Sequence, residues 1–130
     1  MQDFAEWEKA HIREILSAES VLSKPLGDTQ GAIEAQMTAA ESLFCRITGM
    51  LAEVDAILDT EMWRLMPIKN QMPEHERHIA VMAKTAGVRL RRDRLKSLAD
   101  CIEQRVSVCQ SKMKMYTEEY KIIERQEKKR

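Results

Sequence analysis

Two long segments of this chain carry apolar residues at alternating steps of three and four, and a short turn bracketed by Pro67 and Pro73 separates them. On an α-helix this spacing places the apolar side chains along one stripe, which needs a partner surface. The sequence therefore predicts an all-α fold, a long antiparallel helical hairpin of coiled-coil character with an additional N-terminal helix. The two stripes are Met37, Ala40, Phe44, Ile47, Leu51, Val54 and Leu58, and Leu95, Leu98, Ile102, Val106, Cys109, Met113, Tyr116, Tyr120 and Ile123.

The helix boundaries follow from proline and glycine. The N-terminal amphipathic segment ends before Pro25 and Gly27, because proline disfavours a helical residue before it and glycine relaxes the backbone. Pro73 suits the first turn of the last helix. We predict a single domain over residues 1–130, with helices at 3–23, 30–66 and 74–126 and a turn at 67–73.

The helix lengths leave two arrangements for the N-terminal helix. At a rise of 1.5 Å per residue, the third helix is about 80 Å long and overhangs the second, of about 55 Å, by about 25 Å. Apolar residues such as Tyr120 and Ile123 continue along that overhang. We therefore expect the first helix to lie end to end with the second and cover the overhang. In the alternative, it folds back into a short three-helix bundle and leaves the overhang for dimerisation.

Charge is balanced overall but divided between the two halves. Residues 1–65 hold 12 acidic and 5 basic side chains, a net charge of −7, whereas residues 66–130 hold 9 acidic and 16 basic ones, a net charge of +7. This favours pairing of the arms, although an exposed ion pair contributes only about 0–1 kcal/mol. We expect four acids of the second helix to neutralise much of the basic run in the third: Glu53, Asp55, Asp59 and Glu61.

That basic run, residues 88–96, is the candidate for contact with nucleic acid. A row of positive side chains on a helix could follow phosphates and gain affinity by counterion release. No aromatic residue interleaves the run, so a stacking platform for single strands is missing. Nucleic acid is therefore the less favoured partner. Its candidate contacts are Arg89, Arg91, Arg92, Arg94 and Lys96.

Large apolar and aromatic residues near the ends of the proposed rod are the candidates for binding a protein partner or a second copy. Trp and Met are enriched at protein interfaces. For Trp63 the favoured interpretation is a plug that seals the tip of the hairpin, and an exposed anchor for a partner is the alternative. The candidate partner-binding residues are Trp7, Trp63, Met66, Tyr116 and Tyr120.

The sequence offers little for catalysis, cofactors or metals. It contains no Gly-rich phosphate loop, nucleophile elbow or convergent Ser/His/Asp set, and a thin helical rod rarely forms a pocket. His75 and His78 have a spacing that could share a metal, but no third ligand follows. We therefore expect a protein that is not an enzyme and binds neither cofactor nor metal.

Localisation follows from what the chain lacks. No window approaches the roughly 20 apolar residues that span a bilayer, and the N-terminus shows no secretory pattern. Cys45, Cys101 and Cys109 are odd in number and lie in predicted helices, which favours reduced, buried thiols. We predict a cytoplasmic protein with no membrane partner.

Three segments, Ala39–Glu41, Leu51–Asp59 and Ile102–Ser107, share a layout with known helical proteins. This layout resembles that of small, mostly uncharacterised helical proteins encoded by phages and prophages, some of them among replication and recombination genes. The resemblance covers about residues 35–115. It implies an accessory role in a mobile element and assigns no activity and no functional residue.

These observations support one leading hypothesis and two alternatives. The first is a non-catalytic α-helical interaction protein that docks on a protein partner or on its own copy. The second is a nucleic-acid-associated accessory factor of replication or recombination that uses the basic run. The third is a helical stalk component of a secretion or export apparatus, an analogy from architecture alone.

Overall fold

The computed structural model describes residues 3–65 and 73–129 of the chain. These residues form four α-helices and no strand, in the order α1 (Phe4–Ser23), α2 (Gln30–Arg64), α3 (Glu74–Lys84) and α4 (Ala86–Lys128). The most extensive contact joins α2 and α4. The predicted all-α fold with two long helices packed together is therefore confirmed. Apart from Pro73, the predicted turn lies outside the described residues.

Residues 24–29 connect α1 to α2 and are held by two sets of hydrogen bonds. The Thr29 hydroxyl accepts a hydrogen bond from the Ala32 amide (3.1 Å), which caps the first turn of α2. The Gln36 side chain accepts from the Gly27 amide (2.8 Å) and donates to the Pro25 carbonyl (3.1 Å). A Cβ atom at residue 27 would lie 2.6 Å from the Ala32 Cβ, so only glycine fits this close approach.

This connection turns α1 back along α2. The Trp7 Nε1 atom donates to Glu53 Oε2 (2.6 Å) near one end of α1, and Glu14 pairs with Arg46 two turns later. Residue numbers thus rise along α1 as they fall along α2. The two helices are antiparallel neighbours, and the expectation that they lie end to end is wrong.

The contacts of α1 with α4 show that these two helices run in the same direction. The Glu8 carboxylate accepts from Arg91 Nε (3.3 Å), and the Leu22 carbonyl accepts from Arg105 Nη1 (3.0 Å). Along these contacts the residue numbers increase in the same direction in both helices, so α1 runs parallel to α4. It follows that α2 and α4 are antiparallel, as the hairpin requires. The predicted alternative, a three-helix bundle, is the observed arrangement. Its physical advantage is that α1 buries its apolar face against two helices rather than one.

The core lies along the line where α1, α2 and α4 meet. It contains most of the stripe predicted for the second helix and the first part of the stripe predicted for the third, as far as Ile102, together with the apolar face of α1. The buried members of the cluster are Trp7, Ile15, Ala18, Ala40, Ile47, Met50, Val54, Leu58, Val88, Leu95, Leu98, Ala99 and Ile102.

The helix predicted over 74–126 is divided at Thr85, and its second part continues to Lys128. The Thr85 hydroxyl donates to the Val81 carbonyl (2.7 Å) and accepts from Arg89 Nε (3.1 Å), while Arg89 Nη2 donates to the Met82 carbonyl. A threonine that bonds back to the carbonyl four residues earlier favours bending of a helix. α3 contributes no buried residue to the core. The prediction of one uninterrupted helix is therefore wrong.

Candidate interaction surfaces

The last three turns of α4 project beyond the rest of the bundle. Tyr116 marks the boundary, because its hydroxyl donates to the Asp28 carbonyl (2.6 Å), immediately before α2 begins. Every residue from 117 to 129 is exposed. At 1.5 Å per residue, residues 117–128 extend about 18 Å past that point. We call residues 117–128 the overhang.

The overhang continues the apolar stripe that α4 buries in the bundle. A line with steps of seven runs through Val88, Leu95, Ile102, Cys109, Tyr116 and Ile123. The first four are buried and Tyr116 is half-buried, whereas Ile123 is 54% exposed. The adjacent line through Ala99, Val106, Met113 and Tyr120 likewise changes from buried to exposed, with Tyr120 at 69%. We call Tyr120 and Ile123 the overhang stripe.

The predicted overhang is thus present but shorter than expected, and α1 does not cover it. Arg105 shows where α1 ends: its guanidinium donates to the Leu22 carbonyl and to the Lys24 carbonyl (3.0 and 2.9 Å). Arg105 therefore satisfies the free carbonyls at the C-terminus of α1, a role that sequence reasoning missed. The only sequence signal for it was a basic residue beside an otherwise apolar stripe.

A second set of exposed apolar side chains lies on a different face of α4. Val108, Met115 and Ile122 follow one another at steps of seven and are all exposed. Adjacent residues on an α-helix point about 100° apart, so Ile122 and Ile123 belong to different faces. The C-terminal part of α4 therefore presents two apolar lines, of which only the one through Ile123 continues the core stripe.

At the other end of the molecule, Trp63 is 69% exposed, and Met62, Ile79 and Met82 are exposed as well. Trp63 therefore does not act as the plug that seals the hairpin tip. Its place among the candidate partner-binding residues is compatible with this exposure. Met66, the neighbouring candidate, lies outside the described residues.

Trp7, another candidate for partner binding, is 1% exposed and belongs to the core. Its indole stacks between the rings of Phe4 and His11, with centroid distances of 6.5 and 4.4 Å. Glu53 accepts the indole N–H, and His11 Nε2 lies 3.6 Å from the same carboxylate oxygen. Trp7 thus joins α1 to α2, and the prediction that it is available to a partner is wrong. Tyr116 is also partly engaged, through its bond to Asp28.

The basic run does not form one free row of cations. Arg89 binds the Met82 carbonyl and the Thr85 hydroxyl, Arg91 binds Glu8, and Arg92 lies 3.4 Å from the carboxylate of Asp93 next to it. Only Arg94 and Lys96 are exposed. They are two residues apart, and side chains at that spacing do not face each other on a helix.

None of the four acids of α2 that were expected to neutralise this run forms an ion pair with it. Glu53 faces Trp7 and His11, Glu61 pairs with Arg64 (2.5 Å), and Asp55 and Asp59 are exposed. Within residues 3–65 and 73–129, no ion pair joins α2 to α4, and the acid from another helix that pairs with the basic run is Glu8 of α1. The expected charge pairing of the two arms is therefore wrong. The physical reason is that the α2–α4 contact is made by apolar stripes, which leaves charges on the outer faces.

Other candidate chemistry is sparse in the described part of the chain. His75 and His78 line an open hollow between α3 and Met62. No three His, Cys, Asp or Glu side chains among the described residues are placed to hold a metal ion. Cys45 and Cys101 are exposed and only Cys109 is buried, so the expectation of three buried thiols is wrong for the first two. None of the described helices has both the length and the apolar run needed to cross a membrane.

No protein-family model, curated protein or solved structure matches this chain. The similarity to phage and prophage proteins stays a hypothesis from the sequence.

Proposed function

We propose that this protein is a non-catalytic α-helical interaction protein that docks on a protein partner or on a second copy through the overhang. The supporting observation is that an apolar heptad stripe, buried as far as Cys109, continues as exposed residues at Tyr120 and Ile123. A contiguous exposed apolar surface on a soluble chain marks an interaction site more often than a random surface does.

The wider setting is part of the same proposal. An accessory role in a phage or another mobile element is supported by the layout of the segments within residues 35–115. A cytoplasmic location is supported by the three cysteines, which are all free thiols. A helical stalk in a secretion or export apparatus has support only from the elongated α2–α4 pair.

Site-specific photo-crosslinking in cells tests the proposal. A benzophenone amino acid at Tyr120 should give discrete adducts, because Tyr120 lies in the proposed contact. The matched control is the same amino acid at Asp55, which is exposed on α2 far from the overhang. We expect adducts from position 120 and none of the same mass from position 55. Identical adduct patterns from both positions would contradict the proposal.

Binding of nucleic acid is the second candidate, and the exposed Arg94 and Lys96 favour it. The remaining basic residues of the run already bind protein groups, so we rank it lower. An electrophoretic shift assay with duplex DNA and with RNA separates the candidates. Phosphate tracking would give affinity that falls steeply with salt and is lost on changing Arg94 and Lys96 to Glu. We expect no such binding by the unmodified protein.

A further inference from the structure

We propose that the occupant of the overhang stripe is a second copy of this chain, paired antiparallel through Tyr120 and Ile123. This inference rests on the proposed function and specifies its partner. Three features of the described residues support it: the heptad pattern of the overhang, the charges that flank the stripe, and the position of α2.

The heptad pattern of the overhang is self-complementary. Its two core positions are occupied by Met113, Tyr120 and Glu127 in one line and by Tyr116 and Ile123 in the other. In an antiparallel helix pair, a residue of the first line packs against a residue of the second line on the other helix. Tyr120 of one copy then lies opposite Ile123 of the other, and the twofold axis repeats this contact.

The charges flanking the stripe select the orientation. The flanking positions are Thr117, Glu119, Glu124 and Gln126. A parallel pair would place Glu119 of each copy against Glu124 of the other, and two such like-charge contacts are destabilising. An antiparallel pair places Glu119 opposite Gln126 and Glu124 opposite Thr117, without like-charge contact. The overhang holds four acidic and three basic side chains, so two copies carry little net repulsion.

The position of α2 selects the same orientation. α2 occupies the stripe of α4 as far as the Tyr116–Asp28 contact. The α4 helix of a parallel second copy would continue past that level and enter the volume that α2 fills. The α4 helix of an antiparallel second copy lies on the overhang stripe in the same direction as α2 and extends the line of α2 instead. The proposed contact is therefore continuous with the interface inside the bundle.

Sedimentation equilibrium of the purified full-length chain tests this pairing. An overlap of about 18 Å buries less than the roughly 1,600 Å² of a standard interface, so we expect a weak dimer. Concentrations from about 1 µM to about 1 mM cover the range of such affinities. We expect a monomer–dimer equilibrium within that range. A protein that stays monomeric throughout would overturn the inference.

Adjacent isoleucines provide a matched control. Ile122 and Ile123 are 53% and 54% exposed and lie on different faces of α4. Ile123→Glu should weaken the dimer at least tenfold, whereas Ile122→Glu should leave it unchanged. Circular dichroism should show the same helical content for both variants, because neither residue is buried. Equal weakening by both changes would overturn the assignment of the stripe.

Disulfide trapping tests the orientation in a chain whose exposed cysteines carry the changes Cys45→Ser and Cys101→Ser. Tyr120→Cys and Ile123→Cys are prepared separately, with a size tag on one. An antiparallel pair predicts that the mixture oxidises to the tagged–untagged dimer several times faster than either variant does alone. Faster self-oxidation of each separate variant would show a parallel pair and overturn the proposed geometry.

The outcomes separate this inference from the proposed function. If the pure protein is monomeric but Tyr120 still gives adducts in cells with another protein, the second-copy inference fails and the proposed function holds. If the protein is monomeric and Tyr120 gives no specific adduct, both fail. A dimer that responds to Ile123→Glu and not to Ile122→Glu supports both.

Discussion

The middle of α4 and its C-terminal turns carry the same apolar pattern in different surroundings. Ile102 and Ile123 lie on one heptad line, 21 residues apart, yet Ile102 is 0% exposed and Ile123 is 54% exposed. The difference arises because α2 begins next to Tyr116 and leaves the later turns without a neighbour among residues 3–65 and 73–116. A heptad pattern thus states that a helix needs a partner surface, but it does not state whether the same chain supplies that surface.

Truncation of these two isoleucines should give the largest contrast. Ile102→Ala removes a fully buried side chain from the core and should lower the free energy of unfolding by about 2–5 kcal/mol. Ile123→Ala should change it by less than about 0.5 kcal/mol at protein concentrations where the chain is monomeric. Urea unfolding followed by circular dichroism measures both. A large loss of stability from Ile123→Ala in the monomer would mean that the overhang packs on the bundle.

The carboxylate of Glu53 should give a smaller effect on the contact between α1 and α2. Glu53→Ala removes the acceptor of the part-buried indole N–H of Trp7, which should cost about 0.5–1.5 kcal/mol. Glu53→Gln keeps an acceptor oxygen and should recover part of that loss. Asp55→Ala, on the exposed face nearby, serves as the control and should have almost no effect.

Thermal unfolding of these three variants gives the comparison. If Asp55→Ala is as destabilising as Glu53→Ala, charge across the arms would matter more than the contact of Glu53 with Trp7. That result would restore the expectation of charge pairing that the geometry contradicts.

The two tryptophans extend the comparison to the whole molecule through a measurement of accessibility rather than of stability. Trp7→Phe and Trp63→Phe leave one indole each, and the two should differ in accessibility to acrylamide. The remaining Trp63 should be quenched several times more strongly, because it is 69% exposed and Trp7 is 1% exposed. Equal quenching would place the two indoles in similar environments and contradict the burial of Trp7.

The smallest expected effect comes from removing the overhang. Deletion of residues 117–130 should change the stability of the bundle by less than about 0.5 kcal/mol, because residues 117–129 are all exposed. The same deletion should abolish the proposed dimer. Urea unfolding and sedimentation equilibrium test the two statements separately. A clear decrease in the free energy of unfolding after the deletion would show that the overhang belongs to the core.

Much of the fold could be predicted from local patterns. The stripes around Ile47 and Ile102 identify the helix faces that pack, and Pro25 with Gly27 marks the end of α1. These predictions succeed because helix periodicity and breakers act within a few residues of the chain. The break at Thr85 was missed, because a threonine within a helical pattern is ordinary and its hydroxyl bonds either to the backbone or to solvent.

The candidate site could be predicted only in part. The sequence identified Tyr120 and Trp63 as possible anchors, and both are exposed. It grouped Trp7 with them, although Trp7 faces Glu53, a residue 46 positions away. The basic run was also read as one row, whereas Arg89 and Arg91 bind groups supplied by α3 and α1. Such assignments depend on which helix lies beside which, and spacing along one helix does not contain that information.

The sequence by itself determined that this protein consists of long amphipathic helices and which face of each long helix is apolar. Only the tertiary structure decided that α1 folds back against both α2 and α4, that Arg91 pairs with Glu8, and that the stripe of α4 is left open beyond Tyr116. The reason is physical: periodicity fixes the direction of side chains around one helix axis. The register between helices instead depends on the connection at residues 24–29, on the packing of Trp7 and on where α2 begins.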